Sequence, residues 1–290
     1  MKTKLKTFMY TPAILTNVVE KLGKWKDLDN ICFDFEDGLA EHDLYTAESG
    51  ISSLLEKVSF ANKHNINIFI RVRNPKQFQR IAPQINLEQI TGFVFPKITT
   101  ENFSQYIDTY LKYKQPHISF IPILESAKIA EIKTRQSELI NLHEQFKELK
   151  NNIVCVQIGA VDLCGIYGLR RSLNHTIYDI KILNSIISDI LSIYLQDFIL
   201  LGSVFEYFSG DFEKTLYKET ELDRLNGFSG KLAIHPNQLS IINKAFTITK
   251  DEIEEANQLL NTNLSVVKSI SGRMNEKSTH MNWAKRILNY

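Results

Sequence analysis

The chain has 290 residues, 43% hydrophobic and 23% charged, which is enough apolar material for a large buried core and argues against global disorder. Its 34 Lys and Arg nearly cancel its 33 Asp and Glu, and the net charge of +1 gives no electrostatic reason to expect nucleic acid or an anionic membrane as a partner. No apolar run approaches the roughly 20 residues of a bilayer span, and Phe8-Met9-Tyr10 after the basic start is too short for a signal-peptide core, so a cytoplasmic location is expected.

Eight apolar strand-like runs alternate with helical patterns. In chain order they are Thr7–Tyr10, Asn30–Phe35, Asn67–Arg73, Gly92–Pro96, Ile118–Leu124, Ile153–Ile158, Phe198–Leu201 and Gly230–Ile234. Eight βα units in a chain of this length predict an α/β fold, a (β/α)8 TIM barrel with a C-terminal helical extension. Thr11-Pro12 sets a capping hydroxyl before a proline at a first helical position. The longest helical pattern, Ser126 to about Lys150, follows the fifth strand. Another, about Ile177 to Leu195, precedes the seventh, and its Ile182, Ile186, Ile190 and Ile193 recur at helical spacing as core residues. Thr249-Lys250-Asp251-Glu252 has capping-box spacing and opens a helix Glu252–Leu260. The expected division is a catalytic barrel over 1–262 and an extension over 263–290. The extension carries Trp283, Ile287, Leu288 and Tyr290, apolar surface that should serve as a lid or an oligomer contact.

Cys32, Cys155 and Cys164 form no C-x-x-C pair and read as buried reduced thiols. The seven histidines lack H-x-x-x-H spacing, which argues against a histidine zinc site.

The chemistry-bearing residues gather where strands end. Glu36 and Asp37 follow strand two, Arg71 lies in strand three, Lys97 follows strand four, Glu125 ends strand five and Asp162 follows strand six. The C-terminal mouth of a barrel is where such a fold keeps its active site. Strand alternation turns Asp34 and Glu36 inward, and Arg71 and Arg73 beside them. Two readings fit that pattern: a structural ion-pair network, or acids and an arginine arranged for an anionic substrate. Glu125 and Asp162 could cap the helices that follow them, or form an oxygen-only pair, which suits Mg²⁺. Gly159 and Ala160 are small enough to let backbone amides approach a ligand. Lys97 could balance the acids or bind a substrate carboxylate. His235-Pro236 reads as a capping or packing histidine, and Gly227-Phe228-Ser229-Gly230 as a turn without the P-loop Lys-Ser/Thr pair.

The order of these motifs resembles the HpcH/HpaI aldolase and citrate lyase beta-subunit family, including its malyl-CoA lyase-like branch, from Phe8 to about Leu288. Five short motifs carry the likeness: Asp34-Phe35-Glu36-Asp37-Gly38, Ile70-Arg71-Val72-Arg73-Asn74, Phe95-Pro96-Lys97, Leu124-Glu125-Ser126 and Gly159-Ala160-Val161-Asp162-Leu163. The most specific element is Gly227-Phe228-Ser229-Gly230-Lys231-Leu232-Ala233-Ile234-His235-Pro236-Asn237-Gln238. The resemblance implies a homotrimer or hexamer whose Mg²⁺ is held by Glu125 and Asp162. It implies a catalytic set of Arg71, Asp37 and Glu36, with Arg71, Lys97 and Ala160 toward the substrate. The implied reaction is carbon–carbon cleavage or enolate addition on a small 2-oxo acid or its adduct, with or without a CoA thioester. A catalytically weak barrel serving as a ligand-binding or assembly subunit is the alternative. The chain departs from the family at both ends. Lys6 replaces one arginine, Ile14-Leu15-Thr16 replaces the segment bearing another, and Asn275-Glu276 stands where relatives carry an aspartate. Weak use of CoA thioesters is therefore expected.

Overall fold

The structure, a computed structural model, describes residues 4–15, 17–269 and 272–289. Eight parallel strands close a barrel in chain order: β1 (Thr7–Pro12), β2 (Asn30–Asp34), β3 (Asn67–Arg71), β4 (Gly92–Phe95), β5 (Ser119–Leu124), β6 (Val156–Ile158), β7 (Leu200–Gly202) and β8 (Gly230–Ala233), the last pairing with β1. Helices lie between the strands, so the TIM barrel expected from the sequence is the fold. One apolar cluster takes a residue from nearly every strand, among them Phe8, Cys32, Phe69, Val94, Leu201 and Leu232. These side chains fill the lumen, as a packed barrel interior requires. Register continues the same face upward: Cys32 pairs with Phe69, and two residues on Asp34 pairs with Arg71. All three cysteines are free and buried.

Three local expectations need correction. Thr11 and Pro12 do not open a helix; they end β1, opposite Phe33 and Asp34. Pairing of β1 with β8 stops at Met9, so Pro12 removes no ladder donor on that side. The helix expected over Ser126–Lys150 breaks at Glu131 into Ala127–Ala130 and Ile132–Glu148. Arg135, buried, donates to the carbonyls of Ile129 (2.8 Å) and Ala130 (2.7 Å) that the break leaves open. The sixth strand is shorter than its apolar run, and Ile153 makes only an isolated bridge to Phe120.

The chain divides into two compact units, Met1–Ala245 and Phe246–Tyr290. The boundary lies upstream of the 262/263 division read from the sequence, because helix Lys250–Asn261 packs with helix Lys277–Asn289. Ala256, Leu259, Ala284 and Ile287 form their core, with Trp283 against it. The capping box at Thr249 is present, with Glu252 N–H donating to the Thr249 hydroxyl at 3.2 Å. Most of the apolar stripe of the last helix is thus covered within its own unit. Leu288 stays partly exposed, and Tyr290 lies outside the described residues.

Two glycines give opposite expectations for stability. A Cβ at Gly92 would lie 2.0 Å from the Ser119 carbonyl oxygen, in the β4–β5 ladder where neither backbone can withdraw. Gly92→Ala should cost about 3 kcal/mol, the upper end for overpacking. Gly50 sits in the exposed interior of helix Leu44–Ala61 with nothing near its missing Cβ. Gly50→Ala should add about 0.5–1 kcal/mol. Denaturant midpoints at unchanged m-value check both.

Candidate active site

The site starts from Asp34 at the end of β2. Its carboxylate accepts the backbone N–H groups of Glu36 (2.9 Å) and Gly38 (3.1 Å) and so holds the turn that presents Glu36 and Asp37. From β3, Arg71 grips the same carboxylate in a bidentate pair, Nε to Oδ1 and Nη2 to Oδ2, each 2.6 Å. Its Nη1 reaches Glu36 at 2.9 Å. The guanidinium lies over the Tyr10 ring, 4.7 Å from its centroid. Arg73, expected to enter the lumen, instead donates to the carbonyls of Phe35 (3.0 Å) and Leu39 (2.7 Å) and to the exposed Glu41. The strand has ended at Arg71, so alternation no longer sets its direction. The turn after β2 is clamped by two arginines.

Lys97 has a left-handed backbone, φ 50°. That conformation turns its N–H onto Glu125 Oε1 (3.0 Å) while its ammonium meets Glu36, Asp37 (3.2 Å) and Asp162 (3.3 Å). Glu125, ending β5, is 3% exposed. A Cβ at Gly159 would lie 1.8 Å from Glu125 Oε2, so the glycine makes room for the carboxylate. Asp162 stands in the first turn of helix Ala160–Ile166 and is partly exposed. The amide of Ala160 donates to the Ser203 hydroxyl at 2.9 Å.

These elements surround a cavity of about 390 Å³ at the C-terminal mouth. Asp37, Arg71, Glu125 and Asp162 line it; Glu36 is buried behind them. Burial, then the charge of Asp162, pushes the Glu125 carboxyl up to about 8. Burial also pushes Glu36 up to about 7, against the pull of Arg71, while a hydrogen bond with Asp37 adds to the rise. Asp37 goes the other way: burial raises it, but the hydrogen bond from Glu36 and the Lys97 and Arg71 charges hold it below the usual range. The two neighbouring carboxyls are thus pushed in opposite directions.

Sequence reasoning missed a second network. Arg171, within the connection from β6 to β7, binds Glu206 and Glu219, and Lys231 binds Glu219 (2.9 Å) and Asp223 (2.6 Å) with no exposure at either end. The Tyr178 hydroxyl completes it on Asp223 at 2.6 Å. Lys231 belongs to the most specific sequence element, and its role there is to fix β8 to the preceding helix Glu213–Leu225. His235 caps the turn at Pro236, with Nδ1 accepting from Asn237 N–H at 3.2 Å, and stacks on Phe208. Tyr10, Gln157 and Glu206 were also missed. Tyr10 was open to discovery, because it lies two residues beyond Phe8 on the same strand face.

The donor set fits a hard divalent cation. Five carboxylates, Asp34, Glu36, Asp37, Glu125 and Asp162, share two cations, Arg71 and Lys97. Glu125 Oε2 occupies the space a side chain at residue 159 would fill. Among the described residues no group of three or more His, Cys, Asp or Glu side chains is arranged as a metal cluster, and Mg²⁺ needs only one or two carboxylates plus waters.

Comparison with known proteins places the chain. A family model described as C-C_Bond_Lyase of the TIM-barrel fold matches residues 1–290. The chain belongs to this family, and its class is carbon–carbon lyase. The fold is shared with the protein CitE from Mycobacterium tuberculosis, solved in complex with magnesium, acetoacetate and coenzyme A. That likeness has TM-score 0.69 at 18% identity and covers 99% of this chain and 98% of that one. A citrate lyase from Burkholderia xenovorans LB400 gives TM-score 0.74 at 13% identity over 98% and 90% of the two chains. The citrate lyase beta subunit of M. tuberculosis complexed with oxaloacetate and magnesium gives 0.56 at 19% over 85% and 99%. No curated protein matches the chain in sequence. No helix among the described residues is long and apolar enough to cross a membrane.

The raised carboxyls have a consequence for stability. The folded chain holds protons on Glu125 and Glu36 up to about pH 8 and 7, whereas the ordinary value is 4.5. The native state thus binds more protons in that window, and metal-free stability falls as pH rises, by at most about 1.4 kcal/mol per pH unit for each carboxyl. Glu125→Gln removes one such charge while keeping an acceptor for Lys97 N–H. In chelator its melting temperature should exceed that of the parent at pH 8.5, and the two should converge toward pH 5. Parallel curves would show that Glu125 ionises without strain.

Proposed function

We propose that the protein is a Mg²⁺-dependent lyase or aldolase that cleaves or forms a carbon–carbon bond in a small 2-oxo acid or its adduct. The observation that carries this reading is the pair Glu125 and Asp162, brought to one cavity from β5 and from the turn after β6, with more negative charge than Arg71 and Lys97 answer. Glu125 and Asp162 would hold the ion. Bound there, Mg²⁺ would polarise the 2-oxo carbonyl and offset charge as that oxygen becomes an alkoxide. The presence of magnesium with small oxo acids in the M. tuberculosis relatives supports the choice.

Arg71 contributes a fixed positive charge. Asp34 holds its fork, so it meets the substrate with the N–H groups that Asp34 and Glu36 leave free. Its orientation needs no rearrangement during reaction. Asp37 lines the cavity and, with its carboxyl held below the usual range, can accept a proton beside the reacting carbons, while the raised carboxyl of Glu36 behind it can hold one near neutral pH. Lys97 keeps their positions through its ammonium and orients Glu125 through its backbone.

Purified protein should turn over a 2-oxo acid adduct only with Mg²⁺. Asp162→Asn, at a partly exposed position, should lower turnover by about 100-fold or more, roughly 2.7 kcal/mol, with the melting curve of the chelated protein little changed. Metal-independent turnover, or full activity of the variant, would contradict the proposal.

CoA-thioester use was expected to be weak from two replaced arginine positions. Lys6 precedes β1 and its carbonyl accepts from Lys231 N–H at 3.0 Å, so it sits at the barrel end remote from the mouth and carries no such argument. Ile14 and Leu15 follow β1 on the mouth side, and Leu15 is 42% exposed; Thr16 lies outside the described residues. On that segment, calorimetric titration with acetyl-CoA and Mg²⁺ should show weak binding. A low-micromolar dissociation constant would restore the acyl-CoA reading.

A further inference from the structure

We infer that this site selects 2-oxo acids whose far end is an alkyl group and rejects those carrying a second carboxylate. The inference rests on the oxo-acid reading above and deepens it.

The cavity has two unlike parts. One is the carboxylate and Arg71 cluster, delivered by β2, β3 and the ends of β5 and β6. The rest of the wall is largely apolar: Pro12 from β1, Ile123 from β5, Val161, Val204 after β7, and Leu232 and Ile234 from β8. Val161 is 37% exposed and Ile234 38% exposed, although both line a concave site. Apolar surface left open inside a pocket is the surface a ligand covers.

A second carboxylate has no partner in that part. Among the described residues Arg71 is the sole cation in the cavity lining, and it already serves Asp34 and Glu36. The ammonium of Lys97 stands beside the acid cluster, held by Glu36, Asp37 and Asp162, and not on the apolar side. The ionisable group on the apolar side is Glu206, itself an anion. Its counter-ion Arg171 is 1% exposed in its side chain and shared with Glu219. Of the hydroxyls nearby, Tyr10 donates to Gln157, and Ser203 accepts from the Ala160 amide and keeps only its own neutral O–H to offer, which carries no counter-charge. A carboxylate pressed against this wall would lose its hydration without gaining a counter-charge, which is strongly unfavourable. An alkyl group there gains about fourfold in affinity for each methylene removed from water.

The deciding pair is isosteric. In 4-methyl-2-oxopentanoate a CH(CH3)2 group stands where oxaloacetate has its second carboxylate. Calorimetric titration of the full chain with Mg²⁺ should give the order 4-methyl-2-oxopentanoate, pyruvate, oxaloacetate from tightest to weakest, with at least about tenfold between the two ends. Ile234→Lys places an ammonium at an exposed point of the wall and should invert the order of the isosteric pair. If oxaloacetate binds the parent as tightly as the branched acid, the selectivity is refuted while the oxo-acid reading stands. If none of the three acids binds with Mg²⁺ present, the oxo-acid reading falls, and the selectivity with it.

Discussion

The buried pair of Asp34 and Arg71 organises everything at the mouth of this barrel. Two bonds of 2.6 Å join them, with 3% of the Asp34 side chain and 11% of the Arg71 side chain exposed. Ions so far from water are costly unless each is paired and hydrogen-bonded. Asp34 meets that condition with Arg71 on one side and two backbone N–H groups of the following turn on the other. One carboxylate thereby links the lumen of β2 and β3 to the turn that carries Glu36 and Asp37. Removing either partner would leave a buried charge and release that turn together.

The rest of the mouth is built around unbalanced negative charge. Glu125 has a backbone N–H at one oxygen and the space of an absent side chain at the other. Lys97 answers three carboxylates at once and cannot neutralise them all. Burial first, and neighbouring carboxyls after it, raise Glu125 and Glu36 in the metal-free protein, and a divalent cation would offset both. The deep network of Arg171, Glu219, Lys231 and Asp223 has a different task. It is sealed from solvent, and it ties β8 to the chain segments beside it.

Much of this was legible in the sequence, for a physical reason. Barrel strands alternate inward and outward residues, so Asp34 and Arg71 could be placed in the lumen from spacing, and apolar runs ending in acids marked the mouth. Alternation fails where a strand ends, which is why Arg73, two residues past the end of β3, was misplaced. It also says nothing about backbone handedness, so the left-handed Lys97 and its hold on Glu125 had no local signal. Gly159 read as an opening for a ligand, whereas its use is to admit Glu125, 34 residues away. The Arg171 contacts join residues 35 and 48 positions apart and follow only from the closed topology. Trp283 and Ile287 were correctly seen as needing cover, but the cover is helix Lys250–Asn261, which the sequence reading had assigned to the barrel.

The central claim is that Glu125 and Asp162 together hold one divalent cation. A crystal soaked in Mn²⁺, with anomalous data collected at the manganese edge, tests it most directly. The account requires one strong peak at the barrel mouth bonded to both carboxylates, at about the 2.0–2.1 Å typical of Mg²⁺ or slightly longer, with waters completing the shell. A peak elsewhere, a peak with histidine ligands, or a mouth without metal at saturating Mn²⁺ would contradict it.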